Sequence, residues 1–297
     1  MRINPDNTIN LLSMLSLAQE QEQQSLQQLS SGRRIHNPSD DPAGSAALSI
    51  NLQSQSQQGQ FLQSIASVRE LLSTSDSTLN SIVQSLERAV SLGIEGATGT
   101  QSAENRSALA EEVQGIREQV LTLANTSFRG VFLFAGTEIT TQPFVDDPSA
   151  SSGIAYNGNQ KNNAVLIEEG RTMPTGLSGD KLFCNSSANV FASLKNLISA
   201  LNANDPTAIA AASTEVRNAL THVTNSRVMY GNGLNQLDTA EEFLHQLKLQ
   251  LQTREDTLSA ADPAEAISRL RQAQFARDAT LAAAAKTQFT SLLDYLQ

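Results

Sequence analysis

The 297-residue chain reads as mainly α: an elongated helical rod with long coiled-coil-like helices, paired terminal helices and a small β-rich insert. Three observations lead there. Two segments of about 50 residues carry apolar residues at spacings near four and three, the period of helices that pack along a seam. Three Asp-Pro pairs, Asp41-Pro42, Asp205-Pro206 and Asp262-Pro263, each open a periodic segment. Aromatic residues are only 4% of the chain and Trp is absent, which is thin for a pocketed enzyme and ordinary for a core of Leu, Ile, Val and Ala.

Taken in chain order, residues 7–31 have a helical pattern with Ile9, Leu12, Leu15, Leu26 and Leu29 apolar. The middle of that stripe falls on Gln19 and Glu22. Leu11 to Ala18 is a short apolar run followed by Gln and Glu instead of a small-x-small site, so no cleaved secretory signal is expected. Proline excludes its preceding residue from the helical region, and Asp there accepts free N–H groups, so Asp41-Pro42 starts the next helix. Its stripe is Phe61, Ile65, Val68, Leu72, Ser75, Leu79, Ile82, Leu86 and Ala89, and the helix is expected to end at about Leu92, before Gly93, Gly96 and Gly99. Ser102 caps a third helix with the stripe Leu109, Val113, Ile116, Val120 and Leu123.

Residues 127–188 change character. Gly130 and Gly136 bracket the run VFLFA, Asn157-Gly158 reads as a hairpin turn, and Val165 to Ile167 is a short β-prone run before Gly170. One or two hairpins are expected, then a short helix over about Asn189 to Leu201. The second long helix, after Pro206, carries Ile209, Val216, Leu220, Val223, Tyr230, Leu234, Leu237, Leu244, Leu251 and Leu258. At 1.5 Å per residue each long helix spans about 75 Å. Residues 263–296 carry Ile267, Leu270, Leu281, Ala285, Phe289, Leu292 and Leu296, with Gln274 and Arg277 interrupting the middle. Both terminal stripes are too thin to hold a helix alone in water, so they need each other or other chains.

The expected organisation follows. Residues 1–40 with 259–297 form a terminal coiled-coil assembly domain, 41–137 with 189–258 a helical rod, and 138–188 a small β-rich outer domain. The assembly interface is expected at Leu12, Leu15, Leu26, Leu29, Leu281, Phe289, Leu292 and Leu296. The rod core is expected at Phe61, Ile65, Val68, Leu72, Leu79, Ile82, Leu86, Leu234, Leu237 and Leu244, with Leu72, Ser75, Leu79 and Ile82 facing Leu234, Leu237 and Leu244 in one antiparallel intrachain pair. The ladder Leu237, Leu244, Leu251 and Leu258 could instead form a homodimeric zipper. Glu241, Lys248 and Glu255 between its rungs are poor partners for a parallel dimer, so the intrachain seam is preferred.

No reaction chemistry is legible. The chain has no phosphate loop, GxGxxG, HExxH or CxxC motif, and His36, His222 and His245 lie in three separate segments. Cys184 is the sole cysteine and has no histidine near it in sequence, so it reads as a small hydrophobe. The acidic pairs on helices do not face each other. A net charge of −10 argues against nucleic acid and anionic membranes as partners, and no apolar run approaches a membrane span. No catalytic residue, metal or cofactor is expected.

Residues 29–50, LSSGRRIHNPSDDPAGSAALSI, resemble the N-terminal signature of the flagellin superfamily. Asn37 to Pro42 (NPSDDP), Met1-Arg2-Ile3, Phe134-Ala135-Gly136-Thr137 and Ser291 to Leu296 resemble its hook–filament junction branch more than flagellin itself. The resemblance covers both ends and both long helices and is weakest over residues 138–190. It implies an inner coiled coil of the two terminal helices and an outward-facing insert. It also implies a structural adaptor, secreted and located in the bacterial flagellum, that joins hook to filament as a ring of subunits. The implied partners are the preceding hook-associated junction protein, flagellin, and an export chaperone at the C-terminal helix. Flagellin, or a coiled-coil binding protein unrelated to flagella, remain the alternatives. Flagellins recognised by the innate immune receptor resemble LQRVREL in this helix. Here the stretch is Leu86 to Leu92 (LERAVSL), with Val90 in place of an arginine, so that recognition is not implied.

Overall fold

A computed structural model describes the backbone of residues 6–293 and the side chains of residues 9–285. Helix α1 (Asp6–Ser31) is followed by the long α2 (Pro42–Gly96) and by α3 (Ala103–Ala124). Four short antiparallel strand pairs come next. They are β1 (Ser127–Phe128) with β2 (Val131–Phe132), β3 (Phe144–Asp146) with β4 (Ile154–Tyr156), β5 (Ala164–Glu168) with β6 (Arg171–Pro174), and β7 (Cys184–Asn185) with β8 (Ala188–Asn189). The short α4 (Gly179–Phe183) precedes the last pair. Helices α5 (Val190–Asn202), α6 (Pro206–Ser259) and α7 (Pro263–Leu293) close the chain.

All three Asp-Pro pairs start helices. The Asp41 carboxylate accepts the N–H of Gly44 at 2.9 Å, Asp205 those of Thr207 and Ala208 at 2.9 and 3.2 Å, and Asp262 that of Ala264 at 2.8 Å. Ser102 caps α3 by accepting from Asn105 N at 3.2 Å. Gly93 and Gly96, expected to break the long helix, lie inside it. A Cβ at Gly93 would sit 2.2 Å from Ser213 Oγ, and one at Gly96 2.5 Å from Leu201 Cδ2, so these glycines serve close packing.

The chain packs as two units, Met1–Gln57 with Gln246–Gln297, and Gln58–His245. In the second, every position of the stripe from Phe61 to Ala89 is buried, Ser75 included; its hydroxyl donates to Leu71 O at 2.8 Å. Here α2 runs antiparallel to α6. The register differs from the one expected. Arg69 donates to Asp238 at 2.7 Å and pairs with Glu241, Arg227 grips Asp76 at 3.0 Å through two nitrogens and reaches Asn80 at 3.0 Å, and a Cβ on Gly233 would lie 3.3 Å from Leu72. Leu72 is therefore level with Gly233 and half-buried Leu234, not with Leu244. Leu79 is level with Arg227 and Ile82 lies past it, while Leu237 and Leu244 lie toward Phe61. The slip is about three turns at 3.6 residues each. A stripe that repeats every three or four residues fits itself after such a slip, so the ion pairs and the glycine contacts decide the register.

The insert also departs from expectation. Of its hairpin turns, Arg129-Gly130 has both residues at positive φ (54° and 81°) and Gly170 lies at 74°. Asn157-Gly158 is not a hairpin turn. Gly158 is pressed against Tyr156, where a Cβ would meet the phenol oxygen at 2.4 Å and Ala135 O at 2.7 Å. The scarce aromatics gather here: Phe134, Phe144, Phe183 and Phe191 are fully buried, Phe144 and Phe183 having ring centroids 5.6 Å apart, and they join one core with the helices of this unit.

Candidate assembly interface

In the first unit, the stretch between α1 and α2 is built by short-range polar bonds. Gly32, at φ 69°, ends α1 and donates its N–H to Gln28 O at 2.9 Å. The Ser31 hydroxyl accepts from Arg33 N at 3.1 Å and bonds His36 Nε2 at 2.7 Å. Asp40 accepts the N–H groups of His36 and Asn37 at 3.1 and 2.9 Å. Those bonds, that from Asn37 foremost, hold its carboxyl below the usual carboxylate range. Asp41 is lowered by the Gly44 N–H and then by Arg34, 3.0 Å away. A Cβ on Gly44 would meet Asp41 Cγ and the Cδ1 of buried Ile35 at 2.8 Å, so a larger residue there would have to push both side chains aside. Arg33 bridges Ala260, and Ala261 donates to Gly32 O at 2.9 Å. The end of α1 is thereby tied to the start of α7, and the two helices pack antiparallel.

Their seam is narrow. Its buried members are small: Ala18, Ser25, Ala266 and Ala273. At its centre Arg277 Nη1 donates to both Glu22 oxygens at 2.9 and 3.1 Å, and Gln274 reaches Glu22 at 3.4 Å. The polar breaks seen in the two terminal stripes are therefore partners. Larger apolar side chains point away. Leu12 is 66% exposed, Leu26 47% and Leu281 48%, while Leu15 and Leu29 are half-buried. The side chains of Phe289 and Leu292, and all of Leu296, lie outside the described residues. Ile9, Met14, Leu17, Ile50, Leu249, Ile267 and Phe275 are exposed as well. Most of the large exposed apolar side chains among the described residues belong to this unit, a concentration typical of a surface that another chain covers.

Two family models match the chain: the bacterial flagellin N-terminal helical region over residues 6–139 and the bacterial flagellin C-terminal helical region over residues 214–296. The chain belongs to the bacterial flagellin family. Within that family it is 29% identical over 241 residues to the flagellar hook-associated protein 3 of Escherichia coli (strain K12), covering 73% of this chain and 74% of that protein. Its likeness to polar flagellin F of Vibrio parahaemolyticus is 32% over 124 residues, covering 41% of this chain and 33% of that flagellin. The solved structure of flagellar hook-associated protein 3 from Legionella pneumophila superposes with a TM-score of 0.65 at 16% identity, over 71% of this chain and 98% of that one, and so shares the fold.

For this flagellin-family chain, Phe61, Ile65, Val68, Leu72, Leu79, Ile82, Leu86, Leu237 and Leu244 are buried, as befits a helical core. Phe134-Ala135-Gly136-Thr137 holds the following loop. Thr137 N donates to Asn159 Oδ1 at 3.0 Å, Asn159 N to Ala135 O at 3.2 Å, and Tyr156 OH to Phe134 O at 3.0 Å. The His222 ring bonds Lys181 O at 2.8 Å, and burial pushes the Cys184 thiol up to about 11, so it is protonated at neutral pH. Among the described residues no cluster of metal-ligating side chains occurs, and no helix is long and apolar enough to cross a membrane.

Sequence reasoning did not single out Phe275, Ile50 or Leu249, although an apolar residue off the stripe of a helix is itself a signal. It also missed Arg106, which is buried and donates to Gly96 O and Thr98 O at 2.8 Å and to Asn204 Oδ1.

Proposed function

We propose that this chain is a structural subunit of the bacterial flagellum that joins hook to filament, exported and assembled there as a ring. The observation that carries this reading is coverage: about three-quarters of both chains align with hook-associated protein 3, against a third of the flagellin. The exposed leucines of α1 and α7 supply a surface for neighbouring copies. Leu12, Leu15, Leu26, Leu29, Leu281, Phe289, Leu292 and Leu296 are its assembly residues. Residues 1–40 with 259–297 act as the assembly domain, 41–137 with 189–258 as the helical domain and 138–188 as the outer one. The preceding hook-associated protein and flagellin lie on either side of the ring, and an export chaperone holds the C-terminal helix before export. The role is mechanical and involves no catalysis. Electron microscopy of cells lacking the gene should show hooks without filaments, with attachment restored by the gene on a plasmid. Filaments still attached in its absence would overturn the assignment, and unlimited growth of filaments from the purified chain alone would make it a flagellin.

A further inference from the structure

We propose that the Glu22–Arg277 ion pair sets the register of α1 against α7, and so decides whether the chain can join its neighbours. This rests on the assembly reading above. The Gly32–Ala261 bond ties one end of the pair, but beyond it a seam lined by Ala18, Ser25, Ala266 and Ala273 buries little apolar area, so its own packing holds the register weakly. One interaction there is both specific and half-dry: the Glu22 side chain is 15% exposed, Arg277 35%, and both carboxylate oxygens are engaged. A polar layer in a thin helical seam fixes register and partner, because any slip leaves a charge unpaired. Gln274 adds a second donor to the same carboxylate. Asp278, beside Arg277 in sequence, accepts from its Nε and Nη2 at 3.2 and 3.1 Å, but it lies on the same helix and is 67% exposed, so it does not fix α7 against α1.

A slip by one turn would shift Leu12 and Leu26 along the axis by about 5.4 Å relative to Leu281. The exposed leucines of the two helices would then no longer form the same surface. The pair is thus a positioning element: it touches no partner, yet it orders the residues that do.

The test uses the full chain in cells lacking the gene. Glu22→Arg and Arg277→Glu each place like charges in the seam, and each should cut the number of hooks carrying filaments at least about tenfold. The double exchange should restore attachment. Secretion of each variant and hydrogen-exchange protection of residues 58–245 should stay unchanged, which separates register from loss of folding. Cells carrying both single variants together should remain without filaments, since each chain holds its own mismatch. Normal attachment by either single variant would overturn the inference, as would failure of the double exchange. Rescue by the mixture would also overturn it, by showing that the pair forms between copies. If the unaltered chain itself fails to restore filaments, the assembly reading falls instead.

Discussion

Arg106 offers the sharpest test of how the second unit is held together. Its guanidinium sits where the end of α2, the first turn of α3 and the loop before α6 meet, with the residue only 5% exposed. It donates to Gly96 O and Thr98 O, carbonyls at the end of α2, where the helix dipole favours a cation. Its third partner is the side chain of Asn204, a residue at φ 55°. Arg106→Met keeps the apolar stem and removes all donors. Each charge-assisted bond is worth about 1.5–3 kcal/mol, but water reaches some of the freed carbonyls and the desolvation cost of the charge is relieved. A net loss of about 3–5 kcal/mol follows, a large part of a domain's roughly 5–15 kcal/mol. Hydrogen exchange on peptides from α3 and the start of α6 should accelerate by about two to three orders of magnitude, since 1.4 kcal/mol is a factor of ten. Protection within threefold of the unaltered protein would show that the guanidinium is not the tie described.

Other outcomes follow from the same contacts. Leu79→Ala, at a fully buried position, should cost about 2–5 kcal/mol in urea unfolding through lost burial and a cavity; a cost under about 1 kcal/mol would deny that the stripe is core. Alkylation of Cys184 at pH 8 should be about a hundredfold slower in the folded chain than in urea, because its pKa is raised from 9.0 to about 11; equal rates would contradict that burial. The carboxyls of Asp40 and Asp41 are lowered when folded, so their contribution is present above the ordinary value of 3.8 and is lost as pH falls below it. Exchange at the amides of His36, Asn37 and Gly44 should rise in that window before the buried stripe opens, and a turn that outlasts the core in acid would count against it.

Much of this architecture is written locally. Asp-Pro marks a helix start because both effects, excluded backbone and side-chain cap, act within three residues. The stripe from Phe61 to Ala89 was legible because burial follows period. What escaped was non-local. The meaning of Gly93 depends on Ser213, over a hundred residues away, and that of Gly158 on Ala135. The register of α2 on α6 depends on Arg69 and Arg227 finding acids across the seam, which the apolar pattern does not encode. In the first unit, the apolar positions of α1 and α7 could be named from sequence, whereas the pairing of Glu22 with Arg277 needed the helices to be antiparallel first. The two residues looked like defects in separate stripes, and together they are one layer.

The most direct measurement is electron microscopy of cells whose only copy of the gene ends after Ala261, removing α7 and leaving residues 58–245 intact. The truncated chain should keep the hydrogen-exchange protection of that unit and leave hooks bare of filaments, because α1 loses its partner and the apolar surface of the two helices is never formed. Filaments attached to hooks as in the complete protein would contradict the claim that the paired terminal helices carry assembly.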